Sequence, residues 1–197
     1  EGYAYEWSGM SREEVEAGNK TVYVFALAIL FVFLVLAALY ESWKVPFAVM
    51  FSLPAGVFGA SAFAYLLNQQ NNLYFQIGLL AVIGLAAKNA ILIIEYAKVR
   101  VDERGMDPVS AAIEAAKIRL RPIIMTSLAF VVGSIPLAIA TGAGAASRVT
   151  MGITVVFGTS IATIFGVFLI PMMFIIVETF GHKRVRPKQE VGRLKDM

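Results

Sequence analysis

Five long apolar runs make up most of the chain, and each is long enough to cross a lipid bilayer as a helix. A helix of about 20 residues spans a hydrocarbon core of about 30 Å, because each residue adds about 1.5 Å along the axis. Lipid offers the backbone no hydrogen-bond partner, so such runs fold as helices that satisfy their own polar groups. The sequence therefore predicts an all-α polytopic membrane protein whose five transmembrane helices occupy residues 22–40, 45–67, 74–96, 122–140 and 149–177.

The composition agrees with a membrane location and argues against a nucleic-acid partner. Apolar residues make up 58% of the chain and charged residues 16%, against about 45–50% and about 25% in soluble proteins. The formal net charge is +3, but the basic residues lie in loops and the tail rather than on an aromatic-rich basic face. We therefore predict no nucleic-acid partner.

Lysine and arginine are concentrated on one side of the predicted bundle. The connection 98–121 and the tail 181–197 carry six of these residues each. The positive-inside rule places both segments in the cytoplasm. Because the number of predicted spans is odd, the N-terminal segment is expected on the outer side of the membrane.

Signatures of enzymes and of metal sites are absent from the sequence. His182, the only histidine, lies in the tail, which excludes an intramembrane Ser-His hydrolase and a histidine metal site. No aspartate falls within a predicted span, so this chain alone cannot form an intramembrane aspartyl pair. The chain also has no cysteine, which excludes thiolate chemistry. We expect neither an enzyme nor a metal or cofactor site.

Lys88 is the one cation near the middle of a predicted span. A cation at that depth costs about 2.5 to 3.5 kcal/mol even on a lenient insertion scale, so it is expected to face a carboxylate or a wet cavity. Ala81 and Gly84 share its helix face, so a neighbouring helix can approach there. Intramembrane charges usually mark ion or proton pathways, although a structural lysine paired only for packing is the alternative. Glu95 lies on the same stripe, as either an exit-side polar contact or a solvated helix end.

Residues 1–20 are expected to connect the first span to an outer domain. Residues 2–9 alternate like a short strand, and the motif SREE at 11–14 is a capping box, which predicts a helix that begins there. Two poor helix formers at 18–19 are its weak point. The chain begins at Glu1 without an initiator methionine or a leader sequence, so we expect it to be a piece of a longer polypeptide.

The rest of the chain divides into a transmembrane bundle over residues 21–180 and a basic cytoplasmic tail over 181–197. Local motifs predict further features of the bundle. Asp107 is a suitable N-cap and Pro108 fits the first helical position, which predicts a short amphipathic helix near 108–118 along the cytoplasmic surface. Small residues at four-residue spacing allow close helix packing. Such stripes occur in the second and last spans, at Gly56, Ala60, Ala64, Thr154, Gly158, Ala162 and Gly166.

Two long motifs give the chain a family resemblance. They are GLAAKNAILIIEYAK at residues 84–98 and RLRPIIMTSLAF at 119–130, and shorter agreements occur at 37–43, 74–80 and 141–145. The chain resembles the C-terminal transmembrane half of resistance-nodulation-division efflux pumps, in their hydrophobe/amphiphile exporter branch. The resemblance covers nearly the whole chain except the tail. It implies five of the helices of a twelve-helix protomer, with residues 1–20 leaving the second periplasmic porter region.

The resemblance also implies a function. Such pumps are homotrimeric inner-membrane antiporters that need no cofactor and use the proton motive force. They export amphiphilic drugs, detergents and similar compounds through a periplasmic adaptor protein and an outer-membrane channel. The lysine that matches Lys88 pairs with two aspartates from the N-terminal half of the pump, and the residues that match Arg119 and Thr126 complete the proton relay. The chain lacks that half, so it cannot cycle a proton alone.

Other interpretations of the same residues remain open. Arg119 also fits a cationic anchor on the cytoplasmic side, and Thr126 also fits a hydroxyl bonded back to its own helix. A non-transporting membrane scaffold or assembly subunit would pair Lys88 permanently. A secretion-assisting member of the same superfamily would share the relay but export polypeptide.

The charge asymmetry makes a topological prediction. Because the chain has no cysteine, single cysteines can report the side of the membrane. In intact cells, Gln69→Cys should react with a maleimide that passes the outer membrane but cannot cross the inner membrane. The matched variant Glu103→Cys should react only after the inner membrane is opened. The reverse pattern would contradict the proposed orientation.

Overall fold

The computed structural model describes residues 8–69 and 71–181, and its regular structure is helical. The elements are α1 Met10–Tyr40, α2 Val45–Met50, α3 Pro54–Leu66, α4 Leu73–Arg104, α5 Pro108–Ala138 and α6 Ala145–Gly181. The tail after residue 181 and most of the predicted strand at 2–9 lie outside the described residues.

Five helical segments in the described ranges are long and apolar enough to cross a membrane. They are Tyr23–Tyr40, Val45–Leu66, Leu73–Arg104, Pro108–Ala138 and Ala145–Thr179. Each overlaps one of the five runs read from the sequence, and the observed helices extend further at several ends. The prediction of an all-α membrane protein with five transmembrane helices is therefore confirmed.

The second span is broken into two helices, a feature that hydropathy alone does not show. α2 ends at Met50 and α3 begins at Pro54, which has no backbone N–H to donate to the preceding turn. Leu53 itself keeps right-handed helical angles, φ −66° and ψ −37°, so the interruption lies in the hydrogen-bond pattern rather than in the angles of that residue. Turn hydrogen bonds bridge the gap: Leu53 N donates to Met50 O at 3.2 Å, and the hydroxyl of Ser52 donates to Val49 O at 2.6 Å. Ser52, within the break, lies inside the bundle, and only 4% of it is exposed.

α5 differs from the predicted separate surface helix near 108–118, because these residues are its first turns. The predicted cap is present: the carboxylate of Asp107 accepts a hydrogen bond from Val109 N at 3.2 Å, and Pro108 follows it. Fully buried alanines then hold this part of the helix in line with the span, at Ala111, Ala112 and Ala115. Pro122 lies inside the helix, and transmembrane helices tolerate such prolines because neighbouring groups satisfy the freed carbonyl.

α1 begins slightly earlier than the capping box predicts. Its N-cap is Gly9 and no side chain caps it, so the motif at 11–14 lies inside the helix. Residues 18–19 are also helical. At its other end Glu41 adopts a left-handed conformation with φ 48°, which stops the helix before the short link to α2.

α6 packs against α3, α4 and α5, whereas α1 packs mainly on α2 and the end of α4. The predicted small-residue stripe forms the contact: a methyl group on Gly158 would lie 2.8 Å from Val82 and 3.0 Å from Ala60. Nearer the start of α6, Gly152 lies directly against the backbone of Ala138 in α5. Small residues thus set the distance between the helices of the bundle.

The contact at Gly152 predicts a large effect from one added methyl group. In Gly152→Ala the new Cβ meets backbone atoms of Ala138, which cannot rotate away, so α5 and α6 must separate. Overpacking of this kind typically costs about 1–3 kcal/mol. The control Gly133→Ala adds the same methyl to α5 where no atom lies within 4 Å. Thermal unfolding of the intact protein in detergent should show a lower Tm for Gly152→Ala only; equal shifts would contradict the close contact.

Candidate functional site

Lys88 projects from the middle of α4 on a face that no other described helix covers. Its side chain is exposed, and among the described residues it makes no hydrogen bond or ion pair. A Cβ on Gly84, one turn earlier, would meet nothing within 4 Å. The face predicted for close approach, with Ala81, Gly84 and Lys88, is therefore open within this part of the chain.

The open face continues along the length of α4. Exposed residues recur at helical spacing and include Ile77, Leu80, Gly84, Lys88, Glu95 and Val99. Glu95 shares the stripe with Lys88, as the spacing predicts, and lies about 10 Å further along the axis. Because most of this stripe is apolar apart from two charges, it has the character of a packing surface with a polar centre.

The residue next to Lys88 faces into the bundle. Asn89 is only 5% exposed, and its Nδ2 donates to the hydroxyl of Ser127 on α5 at 3.4 Å. Neither residue was singled out in the sequence, although an amide in an apolar run is the signal that could have found them. α4 therefore carries two polar residues at nearly the same depth, one on its open face and one facing the bundle.

Arg119 lies on α5 against an aromatic ring of α4. Its guanidinium carbon is 4.8 Å from the centre of the Tyr96 ring, and the guanidinium carbon of Arg100 is 4.2 Å from the same centre. A cation over an aromatic face is attracted by the ring quadrupole. The Nε of Arg119 is buried without a hydrogen-bond partner among the described residues. The structure thus places Arg119 by stacking, about two turns of α4 beyond the level of Lys88.

A half-buried ion pair joins the same end of α4 to α5. Arg100 Nη2 and Glu114 Oε1 are 2.8 Å apart, and the exposed fractions of the two side chains are 6% and 40%. A buried arginine needs such a partner, because an unpaired charge at that position would be costly. Lys98 adds a link to α1, since its Nζ donates to Tyr40 O at 2.6 Å.

Thr126 is exposed on α5, and its hydroxyl bonds back to its own helix. The two carbonyl oxygens within reach are those of Pro122 and Ile123, both at 3.1 Å. This is the alternative weighed for Thr126 from the sequence. In the described part of the chain, Lys88, Arg119 and Thr126 lie on two helices that pack against each other, and no direct hydrogen bond joins them. Their role as a proton relay stays a prediction.

The contacts of Arg100 with Glu114 and with the Tyr96 ring lead to a prediction about stability. Arg100→Ala removes the ion pair and the ring contact together and leaves the Glu114 carboxylate without its partner. We expect a clearly lower Tm in detergent, and little change for Lys117→Ala, whose side chain is exposed on the same stretch of α5. In a double-mutant cycle the effects of Arg100→Ala and Glu114→Gln should be non-additive. Additive effects would show that the pair does not join the two helices.

Comparison with known proteins supports the resemblance noted from the motifs. Residues 1–178 match the family model described as the AcrB/AcrD/AcrF family. The toluene efflux pump membrane transporter TtgB of Pseudomonas putida strain DOT-T1E is 50% identical over 191 residues, which are 96% of this chain and 18% of that protein. In Escherichia coli K12, multidrug resistance protein MdtF is 46% identical over 177 residues, 90% of this chain and 17% of that protein. Multidrug export protein AcrF is 47% identical over 176 residues, with shares of 89% and 17%.

Proposed function

The chain belongs to the AcrB/AcrD/AcrF family of resistance-nodulation-division transporters, and from that premise we propose that it is the C-terminal membrane part of a proton-coupled exporter. It spans 17–18% of the length of the relatives compared, so the remaining spans and the periplasmic regions have to come from the rest of the pump. The energy source is the proton motive force, and no cofactor is needed.

The proposed substrates are amphiphilic drugs, detergents or similar compounds. Relatives at 46–50% identity are named for toluene efflux and for multidrug resistance or export. The proposal includes a homotrimer in the bacterial inner membrane that works with a periplasmic adaptor protein and an outer-membrane channel. Substrate choice would be made outside this chain, in the porter regions.

The observation that carries the proposal is the open face around Lys88. The side chain is exposed at mid-helix without a partner among the described residues, yet a lone ammonium at that depth costs about 2.5 to 3.5 kcal/mol or more. Such a cation needs a counter-charge or a wet cavity, and the proposal is that another membrane segment covers Lys88 and supplies the counter-charge. A pair of carboxylates from the N-terminal half of the pump would meet this need.

Such a pairing makes helix packing depend on protons. Ionised carboxylates hold the Lys88 ammonium, whereas protonated ones attract it far less. Two carboxylates that share one lysine titrate together, and one of them can reach a pKa near the working pH. Proton uptake would then release α4 from its neighbour along Ala81 and Gly84.

Arg119 and Thr126 are the further relay residues of the proposal. The cation at Arg119 is held on α4 by the Tyr96 ring, so it would move with the helix that bears Lys88. Thr126 would have to exchange its bond to Pro122 O or Ile123 O for a bond to the released lysine. Its exposed position leaves that hydroxyl accessible to a partner.

The test removes the charge of Lys88 and keeps its length. Lys88→Met in the full pump should abolish proton-driven efflux, while folding and trimer formation persist. Lys117→Met is the matched control, because it removes an exposed lysine from the loop side of α5 and should leave efflux unchanged. Arg119→Ala and Thr126→Ala should reduce efflux less completely. Wild-type drug resistance in Lys88→Met at equal expression would favour the permanently paired, structural lysine.

A further inference from the structure

A small cavity lies inside the bundle, behind the helix face that bears Lys88. Its volume is about 10 Å³, and it is lined by the link between α2 and α3 together with α4, α5 and α6. Most of the lining is apolar, and the polar side chains in it are Ser52, Asn89 and Thr163. Residues from the α2–α3 link and from three helices line the cavity, on a different face of α4 from Lys88.

Each of the three polar side chains around the cavity has an oxygen that can accept a hydrogen bond. Ser52 has committed its hydroxyl hydrogen to Val49 O at 2.6 Å, and Thr163 has committed its own to Thr159 O at 2.8 Å. Asn89 Nδ2 donates one of its two hydrogens to the hydroxyl of Ser127 at 3.4 Å. Each of the three side chains also has an oxygen with free lone pairs.

The oxygen of Asn89 has the strongest need for a partner. Asn89 Oδ1 is buried, and no donor among the described residues forms a hydrogen bond with it. Buried side-chain oxygens in native proteins are nearly always bonded to protein or to ordered water. The residue is 95% removed from solvent, so bulk water does not meet the need.

We infer that the cavity is a binding site for one water molecule, which donates both of its hydrogens to this ring of acceptors. A volume of about 10–15 Å³ suits a single water, and such waters usually make two to four hydrogen bonds. One hydrogen goes to Asn89 Oδ1 and the other to Ser52 Oγ or Thr163 Oγ1. A divalent cation fits less well, since it needs six or more oxygen ligands with carboxylates among them, and no carboxylate lines the cavity.

The water would join helices that Asn89 does not reach directly. Asn89 already bonds to α5 through Ser127, and the water extends the connection to the α2–α3 link and to α6. α4 is thereby held on its inner side by polar contacts to every neighbour around the cavity. The site stands whether or not Lys88 belongs to a proton relay.

The test is a cryo-EM map of the full pump in lipid nanodiscs, at a resolution that shows ordered water elsewhere in its membrane part. We expect a single density about 2.5 to 3.0 Å from Asn89 Oδ1 and from the hydroxyl of Ser52 or Thr163. Asn89→Leu should remove the density. Thr163→Val keeps the side-chain shape and removes one acceptor, so it should weaken the density. This second variant keeps the test informative if Asn89→Leu folds poorly.

The control is Ser160→Ala on the same helix. The hydroxyl of Ser160 bonds back to Val156 O at 2.7 Å and does not line the cavity, so its removal should leave the density unchanged. No density in the wild-type pump would overturn the proposal, and so would an Asn89 amide turned to bond directly to Ser52 or Thr163. A peak with six ligands at about 2.3 to 2.6 Å would also overturn it, because it would identify a cation.

Discussion

The close approach of α6 to its neighbours is the contact on which the rest of the bundle depends. Gly78 lies against Thr154 and Gly158 against Val82, so α4 and α6 meet at positions where a larger side chain has no room. In lipid there is little hydrophobic drive to associate helices, so van der Waals contact between smooth surfaces contributes much of the association. Once α6 is fixed, α3, α4 and α5 can be placed around it, and the small cavity follows from their arrangement.

α4 has two polar faces with different requirements. Lys88 and Asn89 are consecutive and therefore point about 100° apart. Asn89 finds Ser127 within the chain, whereas Lys88 finds no partner among the described residues. The inner face of α4 finds a polar partner within this chain, whereas the charge on its outer face does not find one among the described residues. This asymmetry is what a helix at the boundary between two halves of a larger bundle requires.

The sequence predicts the spans well because hydropathy and length act over 20 or more residues. Asp107 and the small-residue stripes were also predictable, since each depends on a local rule. The break before Pro54 and the continuity of α5 through Pro122 were not, because a proline either ends or bends a helix according to its neighbours. Contacts such as Arg119 on Tyr96 join residues far apart in the chain and depend on helix rotation, which a span prediction does not give.

The link between Lys98 and the end of α1 gives that helix the geometry of a lever. α1 has 31 residues, so it is a rod roughly 46 Å long. Among the residues of α1 whose side chains the structure describes, the buried ones are Leu36 and Tyr40, in its last two turns, where Lys98 also bonds to Tyr40 O. If the helix pivots there, a tilt of about 5° moves its far end by roughly 4 Å. Small movements near Lys98 in α4 would thus become ångström-scale displacements of the far end of α1, at the opposite side of the membrane.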